Sequence, residues 1–149
     1  MNATASADYG AGLPRQELRP MARHSDLGRV RLQRGAAAEA LAAEYLSAHG
    51  LQVLAHNVRC KVGELDLLCR DGEVLVVVEV RQRSRRDYGG ALASVTGRKR
   101  RKIIRATRYL LETAPQWRNH RLRFDVVGVQ GLPDGAPDLE WVKDAFRAA

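Results

Sequence analysis

Between Gly63 and Arg83 the chain reads GELDLLCRDGEVLVVVEVRQR, and no other stretch restricts the fold so strongly. Two runs rich in Val and Leu flank Arg70-Asp71-Gly72-Glu73, and Asp-Gly is a favoured two-residue hairpin turn. The expectation is an antiparallel pair of strands over about 62–69 and 74–82. With Asp71-Gly72 as the turn, Arg70 opposes Glu73, Glu64 faces Glu79 and Asp66 faces Val77. Opposed residues share a face, as do residues two apart along a strand. Glu64, Asp66, Glu79 and Arg81 therefore fall on one face, with Asp66 and Glu79 diagonal neighbours about 7 Å apart at their Cα atoms. Carboxylates this close repel one another. A divalent cation removes the conflict, and Mg²⁺ takes oxygen ligands while keeping waters for chemistry. The alternative is that Glu64 and Glu79 sit at exposed strand ends, paired with local arginines.

The flanks read as helix and strand in turn. Val30 to His49 is rich in Ala and Leu, with apolar residues at 32, 36, 40, 43 and 46, and Gly50 is placed to end a helix. LQVLAH reads as a strand leading to Asn57. After a Gly-containing loop near DYGGA, Thr96 to Thr113 reads as a second helix with Pro115 just beyond it. RLRFDVVGVQ is a further strand, bounded by Gly131 and Pro133, and the tail LEWVKDAFRAA holds a short strand or helix. The order α-β-β-β-α-β predicts an α/β domain, a central mixed sheet flanked by helices, over 29–149. Residues 1–28 lack periodicity and are rich in Gly, Pro, Ser and Ala, so a disordered extension is expected, with Met21 an alternative start.

The 149 residues suffice for one core. No apolar run approaches the roughly 20 residues that span a bilayer, and no signal-peptide core opens the chain, which points to the cytoplasm. Cys60 and Cys69 lack metal-ligand spacing and read as plain core or strand residues. His24, His49, His56 and His120 show no ligand spacing either, and there is no Gly-rich phosphate loop or nucleophile elbow.

The formal charge is +8, and the basic residues other than Lys61, Lys99, Lys102 and Lys143 are arginines. Ten basic residues lie between Arg81 and Arg105 against the single acid Asp87. On the second helix Ile103, Ile104, Ala106, Leu110 and Leu111 form an apolar face, and Arg98, Arg101, Arg105 and Arg108 form a stripe on another. Aligned like charges destabilise a solvated helix by a few tenths of a kcal/mol per pair, about 0.2–0.5. A phosphate backbone turns that repulsion into salt-sensitive attraction. Arg83, Arg85, Arg86, Arg98, Lys99, Arg101 and Arg105 are therefore the candidate contacts to a nucleic acid. Asp125, two residues after Arg123, reads as a buried partner of an arginine rather than a further site acid.

Gly35…Glu39, Asn57-Val58-Arg59, Gly63-Glu64-Leu65-Asp66-Leu67-Leu68, Glu79-Val80-Arg81-Gln82-Arg83, Lys99 and Arg123-Phe124-Asp125-Val126-Val127 together resemble the YraN family. This is a group of small bacterial proteins of unassigned function, and the similarity runs over about residues 30 to 147. The resemblance implies a restriction-endonuclease-like PD-(D/E)xK core, related in shape to archaeal Holliday-junction resolvases. Asp66 then takes the place of the first-strand Asp, Glu79 that of the (D/E)xK acid, Glu39 that of the helix acid and Arg81 that of the Lys. Two positions depart from the pattern. Ala38 stands where the family usually has Gly, and Arg81 where it usually has Lys.

The second departure bears on chemistry. A lysine beside a metal can position the attacking water and help accept its proton, whereas arginine stays charged and serves only to stabilise developing charge. Lys61, just before the first hairpin strand, is a candidate to reach the site instead. The expected function is a Mg²⁺- or Mn²⁺-dependent endonuclease on DNA, with branched or damaged structures among its candidate substrates. Asp66 and Glu79 would be its ligands, Glu64 or Glu39 would add to them, and the Val80 carbonyl would complete the shell. Two other readings remain: a binding protein that has lost catalysis with Arg81, and a protein-interaction module with a basic face. A homodimer would suit the cutting of two strands.

Overall fold

The computed structural model describes residues 26–83, 89–131 and 135–148, with side chains from residue 35 onward. Arg85 and Arg86 lie outside the described residues, as does nearly all of the N-terminal extension. Helix α1 spans Asp26–Ala48, and β1 (Gln52–Cys60), β2 (Gly63–Asp71) and β3 (Val74–Arg83) follow. A four-residue helix α2 (Gly90–Ala93) occupies part of the expected loop and leads to α3 (Gly97–Thr113). Two strands, β4 (Arg121–Gln130) and β5 (Asp138–Phe146), complete the chain, so the tail is a strand.

The strands lie in the order β1-β2-β3-β4-β5. All neighbours are antiparallel except β3 and β4, which are parallel. No hairpin can join a parallel pair, and α2 with α3 makes the crossover. Helix α1 covers one face, packing Ala38, Ala42 and Leu46 against Leu67, Val76, Val78 and Val127. Helix α3 covers the other, with Ile103, Ala106 and Leu110 over Leu65, Leu68, Val77 and Val126. This is why Leu75 to Val78 is an unbroken apolar run: both faces of β3 are buried. The fold is thus an α/β domain with a mixed five-stranded sheet between helices. No helix among the described residues is long and apolar enough to cross a membrane.

The hairpin register differs from expectation by two residues. Asp71 pairs with Val74 and Arg70 with Leu75, so the loop is Gly72-Glu73. Gly72 has φ +60°, and glycine in the first central position is what a type II′ turn demands. A one-residue slip would turn every side chain over, but a shift of two does not. Its effect is to carry Asp66 from the diagonal toward the position across from Glu79, just beyond the last paired residues, Leu67 and Val78.

Alternation also breaks at this level. Leu65 and Leu68, three apart, both join the core beneath α3, and so do Ala55 and Val58 on the neighbouring strand. Residues three apart share a face only where a strand is locally distorted. Asn57, between Ala55 and Val58, has φ +50°, a left-handed conformation that Asn tolerates better than most residues. The distortion frees Asp66 from the ladder.

Candidate functional site

Asp66 is where the acids meet. Past the last β2–β3 pair, the Val80 N–H donates to Asp66 Oδ2 at 2.9 Å. The Asp66 carboxyl also lies in hydrogen-bonding contact with Glu79 from β3 and with Glu39 from α1. Asn57 anchors Glu39 from the distorted part of β1 through a side-chain hydrogen bond. Three elements thus bring three carboxyl groups together at the point where β2 and β3 part.

Burial makes the arrangement costly for negative charge. Glu79 is 4% exposed. Loss of water, then the Asp66 charge, pushes its carboxyl up to about 8, against the opposing pull of Lys99 and Arg81. Glu39 is raised to about 7 by burial and then by Asp66, with the Asn57 hydrogen bond working the other way. Asp66 itself is raised by desolvation, offset in part by the Val80 amide. Two carboxyls in contact cannot both ionise cheaply, so near neutrality protons are held between them.

Glu64 is less central than its motif suggests. Its carboxylate faces Arg59 across β1–β2 at 3.8 Å and is raised by burial and by Asp66. It stands beside the cluster with an arginine of its own. The neighbouring Gly63 has a packing role: a Cβ there would come 3.3 Å from Ala106 Cβ, so α3 lies close over the start of β2.

The cations divide into two groups. Arg81 Nη1 is 3.8 Å from Glu79 Oε1, and its Nε is buried without a hydrogen-bond partner. Lys99 Nζ, from the first turn of α3, is closer to the same oxygen, at 3.6 Å. Sequence reasoning placed Lys99 among the phosphate contacts and overlooked this position. A signal was present, because Lys99 is in phase with Ile103, Ala106 and Leu110, the face that α3 turns to the sheet. Thr96 caps the helix by accepting the Lys99 N–H at 3.2 Å, which fixes the turn that carries the ammonium group. Lys61 is exposed in the turn between β1 and β2.

Arg98, Arg101, Arg105 and Arg108 are all exposed, as the stripe on α3 requires. Arg83 differs from the expected phosphate contact. Its side chain is 10% exposed and its Nη1 meets Glu140 Oε2 at 3.1 Å. The same oxygen accepts the Ala91 N–H, so Glu140 ties the end of β3 to the start of α2.

Asp125 is the buried arginine partner that its sequence context indicated. Arg123 grips it with two hydrogen bonds of 2.9 Å while reaching Asp71 with Nη1, and Trp141 Nε1 and the Asp144 N–H complete its shell. A cleft of about 600 Å³ opens nearby, lined by Val74, Arg121, Phe124, Phe146 and Arg147. None of Glu39, Glu64, Asp66 and Glu79 lines it. The cleft and the acids are therefore separate places.

The candidate side-chain donors are all carboxylate oxygens, and with the Val80 carbonyl they form an oxygen-only set, which suits Mg²⁺ or Mn²⁺ and not a soft-metal site. The acids meet in pairs around Asp66; among the described residues, no three His, Cys, Asp or Glu side chains stand as a ready ligand set. The arrangement fits a cation held by two carboxylates and otherwise by water, the usual habit of Mg²⁺. Cys60 and Cys69 are both free, and burial pushes the Cys69 thiol up to about 12.

Comparison with known proteins adds the family. A model described as uncharacterised protein family UPF0102 matches residues 38–129. A UPF0102 protein of Pseudomonas putida strain GB-1 is 49% identical over 113 residues, covering 76% of this chain and 92% of the relative. A UPF0102 protein of Pseudomonas syringae pv. syringae strain B728a is 45% identical over 117 residues, 78% of this chain and 95% of its own. One from Stutzerimonas stutzeri strain A1501 is 46% identical over 114 residues, 76% and 94%. The matched span carries Glu39, Asp66, Glu79 and Lys99 alike, and the chain belongs to the uncharacterised protein family UPF0102.

Proposed function

We propose that this protein is a Mg²⁺- or Mn²⁺-dependent endonuclease with a restriction-endonuclease-like core, acting on DNA. The observation that carries the reading is the convergence of Glu39, Asp66 and Glu79 where β2 and β3 separate, with Lys99 and Arg81 against Glu79. Buried acids in contact repel one another once ionised, and a divalent cation relieves them. Asp66 and Glu79 would hold it, with Glu39 behind Asp66 and Glu64 at the margin. A bound cation would supply Lewis acidity, polarising a water and offsetting phosphate charge.

The chain's own residues supply the rest. Hydrolysis forms a bond from water oxygen to phosphorus and breaks one P–O ester bond. One water proton is lost, and the departing oxygen gains a proton. Arg81, beside Glu79 at 3.8 Å, is placed to grip a phosphate of the substrate with its planar fork. The exposed stripe of Arg98, Arg101 and Arg105 gives the backbone of the substrate a row of cations leading to the acids.

The second reading, binding without cleavage, is favoured by Arg81 at the position where the family usually has Lys. One experiment separates the two. Labelled linear, flapped and four-way DNA are incubated with and without Mg²⁺ or Mn²⁺, beside a binding gel. The endonuclease reading expects metal-dependent cleavage that Asp66→Ala abolishes. DNA retained but left intact would replace it with the binding reading. No retention at low salt would leave a protein partner for the basic face.

A further inference from the structure

We propose that Lys99 is the lysine of this site: from the first turn of α3 it contacts the attacked phosphodiester, while Arg81 on β3 anchors the substrate. The inference rests on the endonuclease reading above and deepens it. A strand lysine two residues after Glu79 would reach the reacting phosphate from β3, and Arg81 holds that position here. The structure provides a lysine at the same carboxylate by another route. Lys99 Nζ and Arg81 Nη1 approach one oxygen, Glu79 Oε1, at 3.6 and 3.8 Å.

The two cations are not equivalent. An ammonium group is a compact charge with three donors, so one can face Glu79 while the others face a phosphate. Lys99 is 39% exposed, which leaves it open on the substrate side. It is also rigidly delivered. Thr96 caps its amide, Arg100 Nε donates to the Val95 carbonyl, and the Arg100 guanidinium lies 5.6 Å from the centre of the Phe146 ring. These contacts lock the start of α3 on the sheet, as a reacting group requires. The charge of Lys99 bears on Glu64, Asp66 and Glu79 together. Arg81 has a planar fork suited to gripping a phosphate, and its buried Nε still lacks a partner.

On α3, Lys99 differs from its neighbours in direction. Arg98, Arg101, Lys102 and Arg105 are exposed, whereas Lys99 lies on the side facing the acids. It belongs with the reacting centre, and the arginines with the track that leads to it.

The test uses the full chain and a DNA substrate that the wild type cleaves, with Lys99→Met, Lys99→Arg, Arg81→Met and the double variant Arg81→Lys with Lys99→Met. Single-turnover cleavage is measured in Mn²⁺, DNA affinity is measured in Ca²⁺ by fluorescence anisotropy, and Mn²⁺ affinity is measured without DNA. Loss of a charge-stabilising donor should slow cleavage by Lys99→Met about 100-fold or more. Its DNA affinity should change by less than about 3-fold, one phosphate contact among many. Mn²⁺ affinity should hold or rise, because a competing cation has gone. Arg81→Met should weaken DNA binding more than it slows the bound complex. Restoring a strand lysine in the double variant should recover much of the lost rate. Cleavage by Lys99→Met within a few-fold of wild type, or a rate loss no greater than its loss of DNA affinity, overturns the assignment and leaves the endonuclease reading standing. If the wild type cleaves none of the DNA forms, that reading falls and this inference with it.

Discussion

Two groups of buried acid lie on adjacent strands of the same sheet, and they are built in opposite ways. Asp125 on β4 pairs in register with Val78, and Glu79 with Val126, so the two acids are one step apart. Asp125 is 0% exposed and accepts hydrogen bonds from Arg123, Trp141 and the Asp144 amide. Every lone pair it turns inward has a fixed donor. Glu79 is nearly as buried, yet its nearest polar company is another acid, with Lys99 and Arg81 at ion-pair rather than hydrogen-bond distance. A saturated carboxylate holds strands together; one left leaning on its own kind is a candidate functional site.

The largest effect expected from this contrast is in stability. Replacing Asp125 by Ala leaves the Trp141 N–H without its partner and the Arg123 guanidinium with Asp71 alone, and should cost about 3–5 kcal/mol. Urea unfolding followed by circular dichroism reads it directly. A loss below about 1 kcal/mol, within ordinary mutational scatter, would break the distinction between the two groups.

A pH effect of opposite character should come from the site acids. Glu39 and Glu79 have folded values near 7 and 8, above the ordinary 4.5. Their contribution to stability is therefore full below about pH 4.5 and is lost as pH rises through 7 to 8. The metal-free protein in a chelator should melt several degrees lower at pH 9 than at pH 6, each kcal/mol being worth about 4 °C in a domain of this size. Mn²⁺ should restore more of that loss at pH 8 than at pH 6, since binding must displace protons. Scanning calorimetry at three pH values, with and without Mn²⁺, checks both parts.

Removing one site acid should be cheaper still. Glu79→Gln takes away a repulsive charge, so its stability at pH 8 should lie within about 1 kcal/mol of wild type or above it. The same change should flatten the pH dependence and abolish stabilisation by Mn²⁺. A loss as large as that of Asp125→Ala would mean that Glu79 is a structural anchor after all.

A last effect concerns the support of Glu39. Asn57→Gly keeps access to φ +50° and loses one hydrogen bond, worth about 0.5–1.5 kcal/mol. Asn57→Ala adds the cost of a left-handed residue, about 1–2 kcal/mol more. Equal melting temperatures for the two variants would show that the conformation at Asn57 contributes nothing.

Much of this was legible in the residues themselves. Apolar spacing marked both long helices and four of the strands, and the acidic positions on the hairpin kept their shared neighbourhood even though the register differed. That tolerance has a geometric cause: a slip of two residues preserves the face of every side chain. The pairing of Arg83 with Glu140 was not legible because Glu140 is 57 residues away on β5. The place of Lys99 beside Glu79 was hidden because a cluster of basic residues masks the one that follows the apolar phase of its helix.

What the amino-acid order determined by itself was periodic: which segments coil, which extend, which side chains share a face, and that excess positive charge gathers along one helix. These properties depend on neighbours within a few residues, whose geometry the backbone sets locally. Only the tertiary structure decided that β1 and β2 distort at Asn57 and Asp66, that Glu39 arrives from the opposite layer, and that Lys99 stands beside Glu79. Those outcomes depend on how closely α1 and α3 pack on the sheet, through contacts such as Gly63 under Ala106, and no local pattern contains them.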